Sequence, residues 1–308
     1  MLLHPKVVER SMHNKKTLLL QVKQNRQVLI FTLPAIITIV IMFIFPFFSG
    51  IRYACFNWNG LSSDYQFVGL ANFRALLKDE TFLMAVKFSL KVMFWSVIIQ
   101  NFGGLLLALL LDAVPKLKTV LRTTFFLPNV FSAIVVVFAW QFLLTEGFSK
   151  LYEIFGWNFL NVSWFSSPAL AGWAIILTSS WGAVGYYMLI YFTGLQAIDQ
   201  TYLEAAMLDG ASWLEQVFRI KLPLIMPSFI ISLFTSTMNA MKSFDCSYLM
   251  TKGAPFGSTK TIAYQIYYDA YQAFKFSYAS AESVVFFLLI LVFTGFELFV
   301  LNMRREKS

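Results

Sequence analysis

Six stretches of about 20 or more nearly uncharged residues dominate the chain, and each is long enough for an α-helix to cross roughly 30 Å of hydrocarbon. They cover residues 28–49, 92–111, 123–144, 169–198, 222–241 and 283–303, the last interrupted by Glu297. In hydrocarbon every backbone N–H and C=O must be paired within the protein, and a helix achieves this inside a single segment. The expected fold is therefore all-α and integral to a membrane, with six transmembrane helices. Composition agrees: 58% of residues are hydrophobic and only 13% charged, against about a quarter charged in a soluble domain.

An even number of spans puts both termini on one side, and Lys and Arg decide which, because basic connections are retained in the cytoplasm. The two termini together with 112–122 and 199–221 hold 14 of the 24 Lys and Arg in about 66 positions, whereas the other three connections hold 10 in about 107. The denser set is assigned to the cytoplasm. Residues 1–27 then form a cytoplasmic tail, too long and interrupted to be the short basic start of a signal peptide. Residues 28–91 supply the first helix and an extracytoplasmic loop, 92–303 a five-helix core, and 304–308 a second cytoplasmic tail. The net charge of +8 does not indicate nucleic acid, since the basic residues cluster at the ends of apolar runs and form no stripe interleaved with aromatics.

Several chemistries lack the residues they need. Cys55 and Cys246 are the only cysteines, and His4 and His13 both lie in the polar N-terminal tail, so neither a disulfide framework nor a histidine-based metal or catalytic site is expected. The segment 253–261, GAPFGSTKT, lacks the glycine directly before lysine that a phosphate-cradling loop requires, so no nucleotide hydrolysis is assigned to this chain. Neither HExxH nor GxSxG occurs, and the chain is not expected to be an enzyme. A secondary transporter would carry coupling-ion carboxylates in its spans, where Glu297 stands alone.

One cytoplasmic connection, 199–223, differs from the rest. Its core reads TYLEAAMLDGASWLEQVFRIKLP over 201–223. Thr201 with Glu204 and Ser212 with Glu215 have the spacing of a capping box, in which a hydroxyl accepts one freed N–H and the carboxylate reaches back to another. Asp209-Gly210 between them is a helix stop, because glycine takes the left-handed conformation at little cost. Helix, sharp corner and helix together make a knob for presentation to another protein.

Glu204-Ala205-Ala206, three residues, Gly210, nine residues and Ile220-Lys221-Leu222-Pro223 resemble the EAA loop of permease subunits of binding-protein-dependent ABC importers. In that family the loop is the coupling helix that docks into a groove on the cytoplasmic ATPase. The resemblance implies that role for Glu204, Ala205, Ala206, Asp209, Gly210, Ile220, Leu222 and Pro223. The segment 67–73, FVGLANF, resembles the stretch after the first helix in carbohydrate-type permeases of the maltose, multiple-sugar and glycerol-phosphate group, in the member of each pair related to the larger maltose-system subunit. Arg122 to Pro128 is similar to the family's entry to the third span. Implied with the resemblance are the type I importer permease fold, a cell-membrane location, a second homologous permease subunit forming a heterodimer, two cytoplasmic ATP-binding subunits that carry the ATP and Mg, and an extracytoplasmic solute-binding protein. No cofactor is assigned to this chain itself.

Polar residues inside membrane helices are costly and tend to face the bundle interior. Ser236, Asn239, Ala240 and Ser243 stand at i, i+3, i+4 and i+7 on one face of the fifth span, a pattern that serves either a solute passage or helix packing. The resemblance favours the passage: aligned on Leu222-Pro223, these four fall where the maltose-type permease contacts sugar. That permease has asparagine in place of Ala240 and Ser243, so the sugar's identity does not carry over. Gly182, Ala183 and Tyr186 of the fourth span fall on sugar-facing positions by the same alignment, with Trp181 beside them; aromatic rings with a polar edge suit sugars. Gln100, Asn101 and Gln141 are further lining candidates. Lys242 and Asp245, three apart at the outer end of the fifth span, are placed to pair on one helix face as a gate or docking element. With no Lys or Arg at mid-span, a neutral sugar or oligosaccharide is favoured over glycerol-phosphate, phosphate or an amino acid.

Overall fold

The computed structural model describes residues 31–114 and 117–305; the tail 1–27, the start of the first span at 28–30 and residues 306–308 lie outside them. The chain divides between Tyr53 and Ala54 into two units. The first holds nearly all of helix α1 (Phe31–Ala54), which contains a π turn at Val40–Ile44. Pro46 follows that turn. Its ring has no N–H and crowds the carbonyl four residues back, Met42, and a wider turn relieves the conflict.

The second unit opens with two short strands, β1 (Phe56–Asn57) and β2 (Gln66–Phe67), paired antiparallel with Phe56 opposite Phe67. Helix α2 (Ala71–Leu76) follows, and Asn72 Nδ2 donates to the carbonyls of Ala54 and Phe56 at 2.8 Å each. The asparagine of FVGLANF thus ties the hairpin to α2. The remaining helices are α3 (Glu80–Ala113), α4 (Lys118–Val130), α5 (Ala133–Phe155), α6 (Pro168–Gln196), α7 (Gln200–Leu208), α8 (Trp213–Leu224), α9 (Met226–Met241), α10 (Ile262–Tyr267) and α11 (Phe276–Arg305). Among the described residues α1, α3, α5, α6 and α11 are each long and apolar enough to cross a bilayer, and α8 with α9, which meet at 68°, add a sixth if the bent pair is counted as one span.

The centre of the second unit is the seam between α3 and α6. Small residues let the backbones close up: a Cβ on Gly104 would lie 2.9 Å from the Met188 backbone nitrogen, and one on Gly185 would lie 2.0 Å from the Phe125 carbonyl of α4. Tyr187, Met188 and Tyr191 are fully buried beside this contact, while Phe94, Phe102, Leu106 and Leu110 face outward from α3, as a helix in lipid requires.

Two helices begin earlier than the expected spans, α3 at Glu80 rather than 92 and α11 at Phe276 rather than 283, and two further spans are broken or displaced. The third runs over Ala133–Phe155 rather than 123–144. Phe131 and Ser132 are extended, with ψ near +147° and +148°, so the RTTFFLP segment belongs to α4, and Pro128 lies inside that separate helix. The span then continues through a π turn at Leu143–Gly147 until Gly156, left-handed at φ +66°, stops it. The fifth span is broken at Ile225, between Pro223 and Pro227. Hydropathy is continuous across both breaks, so composition alone cannot see them.

Candidate functional site: a bent loop and a polar cavity

The loop is built largely from local signals. Helix α7 is capped by Asp199, whose Oδ1 accepts the Thr201 N–H at 3.0 Å. That backbone bond holds the Asp199 carboxyl below its ordinary pKa. The expected Thr201–Glu204 box is thus superseded by an acid two residues earlier. The Ala211 N–H closes back on the Ala206 carbonyl at 2.9 Å, which Gly210 permits at φ +79°. A Cβ on Gly210 would meet nothing within 4 Å, so glycine is needed there for its backbone and not for space. The second capping box is present: the Glu215 N–H donates to Ser212 Oγ and the Ser212 N–H to Glu215 Oε2, the latter at 3.0 Å.

Glu204, Ala205, Asp209, Gly210 and Pro223 are exposed, Ile220 and Leu222 half-buried, and Ala206 is buried beneath the corner. Leu208 is 90% exposed, with Tyr202, Met207, Trp213 and Leu214 exposed around it, an apolar ridge on an otherwise polar turn. Beneath it Lys221 is 7% exposed and its Nζ meets Asp112 Oδ2 at 2.5 Å. Asp112 Oδ1 also accepts from Gln196 Nε2 at 3.3 Å, and Gln196 Oε1 accepts from Lys118 Nζ at 2.7 Å. One chain of polar contacts therefore links the loop to the ends of α3, α6 and α4. Lys221 is buried but Asp112 is only half-buried, and the pair with its two amide contacts anchors the loop to the helix ends.

At the other end of α9 lies a cavity of about 530 Å³, within the range of small-molecule sites. Of the residues expected on the passage, Ala183, Tyr186, Asn239, Ala240 and Ser243 line it. Three do not. Trp181 packs edge-on against Trp140 at 5.8 Å, the Gly182 carbonyl accepts from Asn129 Nδ2 at 3.4 Å, and Ser236 is fully buried between helices. Gln141 also lies off the wall. Ser96, Gln100, Asn129, Ser179 and Tyr187 add further uncharged polar groups to the lining. Gln100 Oε1 and Ser96 Oγ are buried without a hydrogen-bond partner, while Asn239 Nδ2 donates to the Tyr187 hydroxyl at 3.4 Å.

Lys242 and Asp245 both line the cavity at the end away from the loop. Helix α9 stops at Met241, so they do not share a helix face, and among the described residues no ion pair joins them. Cys246 beside them is buried, which pushes its thiol up to about 12. No group of three His, Cys, Asp or Glu among the described residues is placed to hold a metal.

Residues 100–304 match the family model of the binding-protein-dependent transport system inner membrane component. The chain belongs to that family. It is 31% identical over 277 residues, 90% of this chain and 94% of the other, to the probable starch degradation products transport system permease protein of Thermoanaerobacterium thermosulfurigenes. It is 29% identical over 260 residues, 84% and 90% of the two chains, to the multiple sugar-binding transport system permease protein of Streptococcus mutans. Its fold matches a chain in the crystal structure of a bacterial ABC transporter involved in the import of the acidic polysaccharide alginate, with a TM-score of 0.79 and 21% identity over 93% of this chain and 99% of that one.

The permease keeps a second polar cluster, one that the sequence did not separate from the cavity. Asn101 Oδ1 accepts from the Tyr191 hydroxyl and from Ser232 Oγ, each at 2.7 Å. Its Nδ2 donates to Ser236 Oγ and to the Val97 carbonyl, each at 2.8 Å. Two acceptor sites and two donors are all an asparagine amide has; all are used, three of them to join α3 to α6 and α9 and one within α3 itself. Neither Ser232 nor Tyr191 stood out in the sequence, because a Ser and a Tyr in apolar runs carry no signal until their common partner is known. Asp112, 109 positions from Lys221, was equally silent.

Proposed function

We propose that the permease forms one half of an ATP-driven import pore for a neutral sugar or oligosaccharide. The half-cavity of uncharged amides, hydroxyls and two tyrosine rings is the observation that carries the cargo class. Sugars present hydroxyls and apolar C–H faces together, and such a wall offers partners for both. Its one lysine, Lys242, is matched by Asp245 in the same lining, so the wall has no surplus positive charge for a phosphate-bearing or otherwise anionic cargo. The two relatives named for starch degradation products and multiple sugars support the same class.

The remaining roles follow from the family and the loop. Both termini and the 199–223 loop face the cytoplasm, where one of the importer's two ATP-binding subunits docks on Glu204, Ala205, Ala206, Asp209, Gly210, Ile220, Leu222 and Pro223. A second, homologous permease supplies the facing half of the cavity, and an extracytoplasmic binding protein delivers the solute. Trp181, Gly182 and Ser236 join the passage only if the helices rearrange between access states. ATP binding draws the ATPases together, the Lys221–Asp112 anchor passes that movement to α3, α4 and α6, and the cavity opens outward; hydrolysis resets it. Such a cycle needs two conformations that ATP and solute stabilise unequally.

The test is reconstitution of the four-part importer with its binding protein in liposomes. ATP-dependent uptake of labelled maltose or a longer glucose oligomer is expected. Gly210→Arg is expected to leave the chain inserted while abolishing uptake and ATPase co-purification, because an L-residue at φ +79° strains the corner and a long cation stands on its apolar ridge. Normal uptake by that variant would refute the docking role, and uptake of glycerol-phosphate in preference to sugars would refute the cargo class.

A further inference from the structure

A second cavity, of about 710 Å³, opens at the ends of α4 and α6 that adjoin the 199–223 loop. Its floor is apolar, with Phe126 and Leu189, and its rim is basic: Lys118 and Arg122 line it, and among the described residues no Asp or Glu does. Four apart on α4, the two cations share one helix face. That face carries Phe126 and, a turn further on, Asn129 of the neutral cavity, so the two chambers lie in line along α4.

The protein does not neutralise either cation. Arg122 is exposed, and among the described residues neither it nor Lys118 forms an ion pair. Lys118 Nζ gives one of its three protons to Gln196 Oε1 at 2.7 Å, and Asp112, next along that chain of contacts, is taken by Lys221. Cations at this end are expected for topology alone, but topology does not require them to share a recess or to stay unpaired in it. A guanidinium beside an ammonium is a donor set suited to phosphate oxygens. The hydroxyls of Thr123 and Thr193, which also line the recess, add a second requirement. Each already donates to its own helix, Thr123 to the Thr119 carbonyl at 3.0 Å and Thr193 to the Ile190 carbonyl at 2.9 Å, so toward a ligand they only accept. Their partners are hydroxyl groups, and the apolar floor suits C–H faces. A phosphate ester on a sugar ring carries all three features.

We propose that this recess binds a phosphorylated sugar from the loop side, with the phosphate on Arg122 and Lys118 and the ring hydroxyls on Thr123 and Thr193. The ligand touches Lys118 and Gln196, the outer links of the polar chain that runs through Asp112 to Lys221 and the loop. Occupancy clamps α4 to α6 at the end that moves in the cycle, and uptake slows. Its source is a sugar phosphorylated after entry, which makes the recess a feedback brake. The inference rests on the importer reading above and adds its regulation. An anionic lipid headgroup shares the phosphate chemistry and is the rival occupant.

The binding test uses the complete importer, free of nucleotide, in phosphatidylcholine nanodiscs, with glucose 6-phosphate, glucose and inorganic phosphate as probes. Glucose 6-phosphate is expected to bind about tenfold more tightly than inorganic phosphate, and glucose not measurably. Arg122→Gln should weaken glucose 6-phosphate roughly tenfold to a hundredfold, the size of a lost charge-assisted hydrogen bond. Thr193→Val should weaken it roughly threefold and leave inorganic phosphate unaffected. In liposomes with the ATPases inside, glucose 6-phosphate sealed in the lumen should slow maltose uptake severalfold for the wild type and not for Arg122→Gln. Without it the two should take up maltose equally, since Arg122 is exposed and unpaired. Equal affinity in Arg122→Gln, or no slowing of the wild type, would overturn the inference while normal uptake upheld the importer reading. Phosphatidylglycerol retained by the wild type through exchange into phosphatidylcholine, lost from Arg122→Gln and not displaced by glucose 6-phosphate, would assign the recess to lipid and overturn it too. Binding as expected with no maltose uptake in any arm would count against the sugar reading and not against the recess.

Discussion

Gln100 and Asn101 are neighbours on α3, both nearly buried, and they sit in opposite kinds of polar environment. Asn101 spends all four hydrogen-bonding positions on Tyr191, Ser232, Ser236 and the Val97 carbonyl. Gln100, about 100° around the helix, leaves its carbonyl oxygen without a donor on the wall of a 530 Å³ cavity. Helix-to-helix polar contacts that are fully satisfied hold three spans in register; polar groups left open beside a cavity are available to water or to a solute. The same residue class, one position apart, thus separates what fixes the bundle from what meets the cargo.

The sharpest way to break this contrast is Asn101→Ala. It strands the Tyr191 and Ser232 hydroxyls in a membrane interior, and a loss of roughly 2–4 kcal/mol in stability is expected, read as a lowered melting temperature of the purified complex. An unchanged melting temperature would place Asn101 on the wrong side of the comparison. Gln100→Ala is expected to change stability by less than about 1 kcal/mol, since no bond is lost, but to raise the uptake KM by roughly tenfold, one hydrogen bond to solute. The smallest effect is at Cys246. With its thiol pushed up to about 12 by burial, labelling by a small thiol reagent in a Cys55→Ser background should rise about tenfold per unit between pH 7 and 9, because only the thiolate reacts. A rate that levels off above about pH 9.5 would show an ordinary, open thiol, and slowing by bound sugar would put the residue on the cargo's side.

Some of the site was legible because its causes are local. The Ser212–Glu215 box and the Gly210 corner need only residues within a few positions of each other, and both are present; at Thr201 a competing local cap, Asp199, took the same N–H. Hydropathy does not register the breaks in the third and fifth spans, because it sums over side chains whereas a break is a backbone event at Phe131–Ser132 and at Ile225; the prolines nearby, Pro128, Pro223 and Pro227, are their signal in the sequence. The stripe expected from Ser236, Asn239, Ala240 and Ser243 does not hold as one helix face, since α9 ends at Met241 and Ser243 lies beyond it, and it splits in space. Asn239, Ala240 and Ser243 line the cavity, while Ser236 turns to Asn101, a distinction that depends on which neighbouring helix each meets.

Membrane class, helical fold and the shape of the bent loop were determined by the sequence itself, since hydrocarbon permits few backbone solutions and caps act over three or four residues. Which polar side chains are tied and which stay open, and how Lys221 finds Asp112 across 109 positions, was decided only by the packing of α3, α6 and α9. Hydrogen bonds between helices depend on distances of a few tenths of an ångström, and no spacing along a chain encodes those.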